Sequence, residues 1–250
     1  MSDFNNRSAR PVLVDRADMA VDAGLRGFML GVYNKVALGL VASAAMAWLT
    51  GMYAPVRDLM FQVSADGRMA GMTPLGWIVG FAPLAIMLFS SFARGGQTPR
   101  GAAVTYWSIV VLMGASLGVL ALVYTGQALA QTFLITAAAF GGLSLFGYAT
   151  KRDLSGLGSF LIVGLIGLVI ASLANMFLKL PMMGFIISIL GVFIFAGLIA
   201  WDTQRLKLMY YNLGGDQAST AVATNYGALS LYLNFINLFQ FLLQLFGGRR

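Results

Sequence analysis

Seven runs of apolar residues, each about the length of a membrane-crossing helix, constrain this chain more than any other feature. They lie at about 31–53, 74–93, 103–125, 128–149, 157–178, 182–203 and 225–246. A helix rises 1.5 Å per residue, so ~20 residues cross ~30 Å of hydrocarbon. The expectation is an all-α integral membrane protein with seven transmembrane helices. Composition agrees: 59% of the chain is hydrophobic and only 10% charged, against roughly 25% charged in soluble domains. One membrane domain, 28–250, uses nearly all of the chain and follows a polar tail over 1–27.

What is missing excludes much chemistry. There is no Cys and no His, and all nine acidic residues are Asp. Thiolate and imidazole metal ligands, histidine proton shuttles and Ser-His triads are therefore ruled out. No phosphate loop or nucleophile elbow appears. The chain is read as no enzyme and as needing no cofactor. The net charge of +7 does not point to nucleic acid, because the basic residues sit in tails and loops between spans, where they fix orientation. Arg7, Arg10, Arg16, Arg26, Arg94, Arg100, Lys151, Arg152, Arg205 and Lys207 fall on one side. That bias predicts a cytoplasmic N-terminus and a last span that crosses fully. The Arg249–Arg250 pair argues for a last span that dips in and returns.

The last span carries a line of uncharged polar groups. Ser230, Asn234, Asn237 and Gln244 fall on one side of a helix at about 100° per residue, with Gln240 at the margin. Hydrocarbon penalises amides without partners, so the stripe turns towards protein or water. Two readings stay open: the amides glue helices together, or the helix sits at the bundle centre and lines a polar path. Asp202, at the end of the sixth span in Trp201-Asp-Thr-Gln-Arg-Leu-Lys207, also has two readings. It is either an interfacial residue paired with Arg205 or a group facing the last helix that gates or senses an ion. Among possible metal ligands it is the best candidate. Smaller signals concern packing: Gly114-Ala-Ser-Leu-Gly118 and the Gly167/Ala171 pair permit close helix approach. Asp153 or Ser155 caps the fifth span.

Phe146-Gly-Tyr-Ala-Thr-Lys-Arg-Asp-Leu-Ser-Gly-Leu-Gly-Ser-Phe160, Trp201-Asp-Thr-Gln-Arg-Leu-Lys207 and Ala228-Leu-Ser-Leu-Tyr-Leu-Asn-Phe-Ile-Asn-Leu-Phe239 resemble the Bax inhibitor-1/YccA family, also called the transmembrane Bax inhibitor motif family. The likeness is greatest to its bacterial inner-membrane members of the YbhL type. It runs from about residue 28 to the end. The resemblance implies seven helices with the C-terminal one at the centre, and a pH-sensitive calcium leak with Ca²⁺ as the permeant ion. It also implies a cytoplasmic latch of two aspartates that share a proton. The first matches Asp202; the second, in the pattern Leu-Tyr-Leu-Asp-Phe-Ile-Asn, falls on Asn234. Arg94 lies where the family places a basic residue near the latch. With an amide in place of one carboxylate, the mutual repulsion of the pair is gone, and pH sensing is expected to weaken. The alternative that the resemblance offers is a regulatory protein that modulates a partner such as the membrane protease FtsH, without transport. A bacterial inner (plasma) membrane location, a lipid bilayer as surroundings and a monomer rather than an oligomer complete the expectation.

Overall fold

A computed structural model describes residues 23–64, 69–92 and 98–248. Most of the expected polar tail, Arg94 and the Arg249–Arg250 pair lie outside the described residues. The elements in chain order are α1 (Ala23–Met52), α2 (Ala54–Met60), β1 (Phe61–Val63), β2 (Met69–Met72) and α3 (Pro74–Phe92). They are followed by α4 (Pro99–Val123), α5 (Gly126–Ala149), α6 (Ser155–Leu178), α7 (Pro181–Asn212) and α8 (Gln217–Phe246).

Each apolar run corresponds to one long helix to within two residues at its end, and the seventh run lies in α8. Among the described residues, six helices have the length and apolarity to cross a membrane, while α3, apolar over Pro74–Ser90, falls just short. Its crossing follows from its neighbours. Gly39 meets Tyr106 and Gly51 meets Gly118, so α1 and α4 run parallel. The chain must return between them, and α3 is the helix that does so. The helices also extend beyond the apolar runs. α1 starts within the stretch read as tail, and α7 and α8 continue into polar sequence.

Packing depends on small residues because hydrocarbon outside the bundle removes most of the hydrophobic drive between helices. Gly114 lies against the Ser43 backbone, and Gly118 against Thr50 and Gly51. The Gly114/Gly118 pair thus marks the α1–α4 contact. Thr50 Oγ1 donates across it to the Ala115 carbonyl at 2.9 Å. The Gly167/Ala171 pair is only half used: Ala171 packs on the α6–α7 core, whereas Gly167 does not. Gly167 has open space where a Cβ would stand, and it faces outward. A small-residue spacing permits close approach but does not supply a neighbour.

The bundle is organised around α8, which packs on α1, α4, α5 and α7, while α3 lies against α4 and α6 against α7. In the most apolar stretch of α8, 56% of residues are buried, against 17% in α5 and α6. Both ends of α8 are tied down. Asp216 caps its start, accepting from the Ser219 N–H at 2.8 Å. Ser219, by its hydroxyl and then its N–H, holds this exposed carboxyl below the usual carboxylate range. At the other end the Gly248 carbonyl accepts from Thr125 N–H in the two-residue turn between α4 and α5. One unbroken helix therefore runs from the end bearing the α1 N-terminus to the end bearing the α4–α5 turn. The dipping alternative does not apply to α8.

The segment between α1 and α3 is ordered by α2 and a short antiparallel hairpin with Phe61 opposite Met72. Met60 and Phe61 are buried against Ala115 and Leu122 of α4.

Candidate functional site

The polar end of α7 is where the sequence-predicted residues meet. Asp202 is 3% exposed, on the face of α7 turned towards α8. Its Oδ2 accepts from Ser230 Oγ at 2.6 Å and from Asn234 Nδ2 at 2.7 Å. Ser230 and Asn234 are four residues apart, so one helical turn brings both donors to a single oxygen. Oδ1 lies 2.8 Å from Arg205 Nη2 as an ion pair, at an angle that does not make it a hydrogen bond. Arg205 in turn stacks over the Trp201 ring, 4.8 Å from its centroid, with its outer edge in solvent or headgroups. Asp202 thus pairs with Arg205 through one oxygen and faces the last helix through the other.

The rest of the stripe is divided. Gln244 Oε1 accepts from Ser188 Oγ of α7 at 2.9 Å. Asn237 turns back on its own helix, donating to the Leu233 carbonyl at 2.8 Å. Gln240 is half-buried. The α8 stripe thus meets α7 at two levels, 202 and 188, which supports the gluing reading over much of its length.

Four side chains of the same α7 segment do work that the sequence reading does not anticipate. Gln204, 6% exposed, grips the turn between α5 and α6 with both ends of its amide. Its Nε2 donates to the Arg152 carbonyl at 2.7 Å, and its Oε1 accepts from Leu154 N–H at 2.8 Å. Lys207 is also buried, with Nζ donating to the Tyr148 carbonyl at 3.0 Å. By sequence it counts as an inside-facing charge; here it closes the end of α5, whose last carbonyls have no helical partner. Trp201 fills the space over Gly158, and Leu206 fills the space over Gly227. Within the turn, Asp153 Oδ1 accepts from Ser155 N–H at 3.0 Å; the N-cap position itself is Leu154, so neither residue read from sequence as the cap occupies it. The residues from Trp201 to Lys207 therefore join the α5–α6 turn on one side to α8 on the other. The signal for this was a polar run that stays helical past the apolar span, a pattern equally consistent with simple exposure.

The donor set bears on cation binding. Among the described residues, no three His, Cys, Asp or Glu side chains gather. Asp202 is the buried carboxylate of the α7–α8 contact among the described residues, and Arg205 offsets its charge. A cation at Asp202 would have to displace that guanidinium and would find amide and hydroxyl oxygens beside one carboxylate. That suits brief passage of a hard ion better than a resident ion with six to eight oxygen ligands.

An all-α membrane bundle with a polar-striped last helix at its centre and a buried carboxylate on the helix beside it defines the class. The family model described as inhibitor of apoptosis-promoting Bax1 matches residues 25–250, and the chain belongs to that Bax inhibitor family. It is similar over its whole length to an uncharacterized protein of Caulobacter vibrioides, at 62% identity with all of both chains covered. It is 44% identical to protein RP147 of Rickettsia prowazekii, with 92% of each chain covered. It is 38% identical to the inner membrane protein YbhL of Escherichia coli K12, covering 94% of this chain and 98% of that one.

Proposed function

We propose that the chain is a cation leak pathway of a bacterial inner membrane, with Ca²⁺ the favoured ion and the α7–α8 contact at Asp202 as its latch. The observation that carries this reading is the buried Asp202 carboxylate, bridged to Ser230 and Asn234 of the central helix. Near one end of the bundle, a charged hydrogen-bond acceptor holds two helices together. Charge-assisted bonds of this kind are stronger than neutral ones, yet they are lost when the acceptor is protonated or the donor turns away. Parting of α7 and α8 here would open the polar stripe towards that end. With Asn234 where a second carboxylate would stand, like-charge repulsion is absent, so the latch responds weakly to pH near neutrality. Arg94 belongs to the proposed latch region on the strength of the resemblance alone.

The second reading is a regulator that modulates a membrane protease of the FtsH type without transport. The Asp202–Arg205 ion pair favours it, because a neutralised carboxylate attracts cations poorly.

Reconstitution into liposomes loaded with a Ca²⁺ dye separates the two. Influx is measured between pH 6 and 8 for wild type, Asn234→Asp and Asp202→Ala. The channel reading expects a leak in wild type with a shallow pH response. Asn234→Asp places two carboxylates in contact and should restore a steep response. If none of the three conducts above empty liposomes, the channel reading fails and the regulatory reading takes its place.

A further inference from the structure

A groove of about 520 Å³ opens on the side of the bundle between α1 and α5, with α8 as its floor. It exists because α1 packs on α4 and α8, whereas α5 packs on α7 and α8. Ala44, Ala47, Leu129 and Phe133 form its walls, and Phe235 and Phe239 its floor. The polar side chain among its lining residues, Ser43, is already engaged. Its hydroxyl donates to the Val110 carbonyl at 3.0 Å and lies 2.6 Å from the Tyr232 hydroxyl. Apart from the Trp48 indole N–H at the exposed rim, nothing in the lining is left to fix water or a polar ligand, and apolar walls without polar partners hold no ordered water.

The surroundings determine what fills it. The four helices around the groove are all long and apolar enough to cross a membrane. Trp48 and Leu134 at its rim are 64% and 68% exposed, so the medium at its mouth is lipid hydrocarbon. An empty groove there would forfeit dispersion contacts on both of its walls. The groove extends to Met52 and Gly126, at the membrane face that carries α2 and the β1–β2 hairpin. We propose that it is a binding site for one acyl chain of a membrane phospholipid. The chain enters from the leaflet beside α2 and lies along α8, and the headgroup is not read. It rests on Phe235, the residue next to Asn234, so lipid occupancy and the α7–α8 contact act on the same helix. The proposal does not depend on the leak reading.

The test uses the full chain in phosphatidylcholine–phosphatidylglycerol vesicles doped with a phospholipid bearing a diazirine on one acyl chain. After irradiation, adducts are mapped by mass spectrometry. The α6 surface, where Phe160, Val163, Ile170 and Phe177 are as exposed as the groove rim, serves as the internal reference for ordinary lipid contact. Severalfold enrichment at Ala44–Trp48 and Leu129–Phe133 over α6 is expected. Ala47→Phe, which fills the groove, should bring that labelling down to the α6 level. Labelling spread evenly over the outer faces would overturn the proposal. So would a groove labelled less than α6, the result expected if a second copy of the chain covers it. If Ala47→Phe does not fold, the wild-type map decides alone.

Discussion

Asp202 shows how much one side chain can carry at the edge of a bilayer. Its two oxygens serve different partners, Arg205 on its own helix and the Ser230–Asn234 pair on α8. Spacing along the sequence leaves those two options open because a helical period places a residue on a face without saying what the neighbouring helix offers. The Gln204 grip was not legible at all. Its partners are backbone groups of the α5–α6 turn, and backbone groups carry no sequence signal. A prediction follows at this scale. Gln204→Leu keeps the volume but orphans the buried Leu154 N–H and leaves the part-buried Arg152 carbonyl without its donor, which costs about 1–3 kcal/mol. Gln204→Glu keeps the acceptor for Leu154 N–H and opposes the Arg152 carbonyl, so it too should be less stable than wild type. Denaturant unfolding in mild detergent checks both. Wild-type stability in Gln204→Leu would show that the turn is held by other means.

Among the elements, the contact between α1 and α4 is the most sequence-legible. Gly114 and Gly118 stand where a Cβ would collide with Ser43, Thr50 and Gly51. Gly118→Val should force the two helices apart at a cost of about 1–3 kcal/mol, as overpacking typically does. Gly167→Leu, into open space on α6, should leave stability unchanged. Melting temperatures of the two variants in the same detergent make the comparison, and equal effects would contradict the packing described here. The same pair of motifs explains the limit of the sequence reading. Both have the spacing of a helix-packing motif, yet in only one do both small residues meet another helix, and that depends on the path of the whole chain. The α2 helix and the hairpin were illegible for a related reason. They are short, and they are ordered through Met60 and Phe61 packing on α4.

For the molecule as a whole, the all-α membrane bundle and the central place of α8 were legible, since ~20-residue apolar runs and a polar stripe are coarse signals; the count of seven differs from the six described helices that are long and apolar enough to cross, α3 being the short one. The bias of Lys and Arg predicts Lys151 and Arg152 on the inside and the α2–hairpin segment on the outside, and this orientation is open to direct test. The chain has no Cys, so single cysteines report cleanly. Asp153→Cys, exposed in the α5–α6 turn, should react with a membrane-impermeant maleimide only after cells are opened. Gly71→Cys in the hairpin, half-exposed, should react in intact spheroplasts. The reverse pattern would invert the topology. The central position of α8 also sets an order of events during biosynthesis. A chain emerges from the ribosome N-terminus first. The four helices that pack around α8 are therefore in the membrane before the helix they enclose has been made. Until α8 arrives, the Asp202 carboxylate lacks both of its α8 donors, and Tyr106 and Ser43 line a vacant slot that only the nascent last helix can complete. The unfinished bundle is thus a polar-lined, half-assembled intermediate. A membrane insertase or a quality-control protease can recognise it by that exposed polarity, and the finished bundle conceals the same groups.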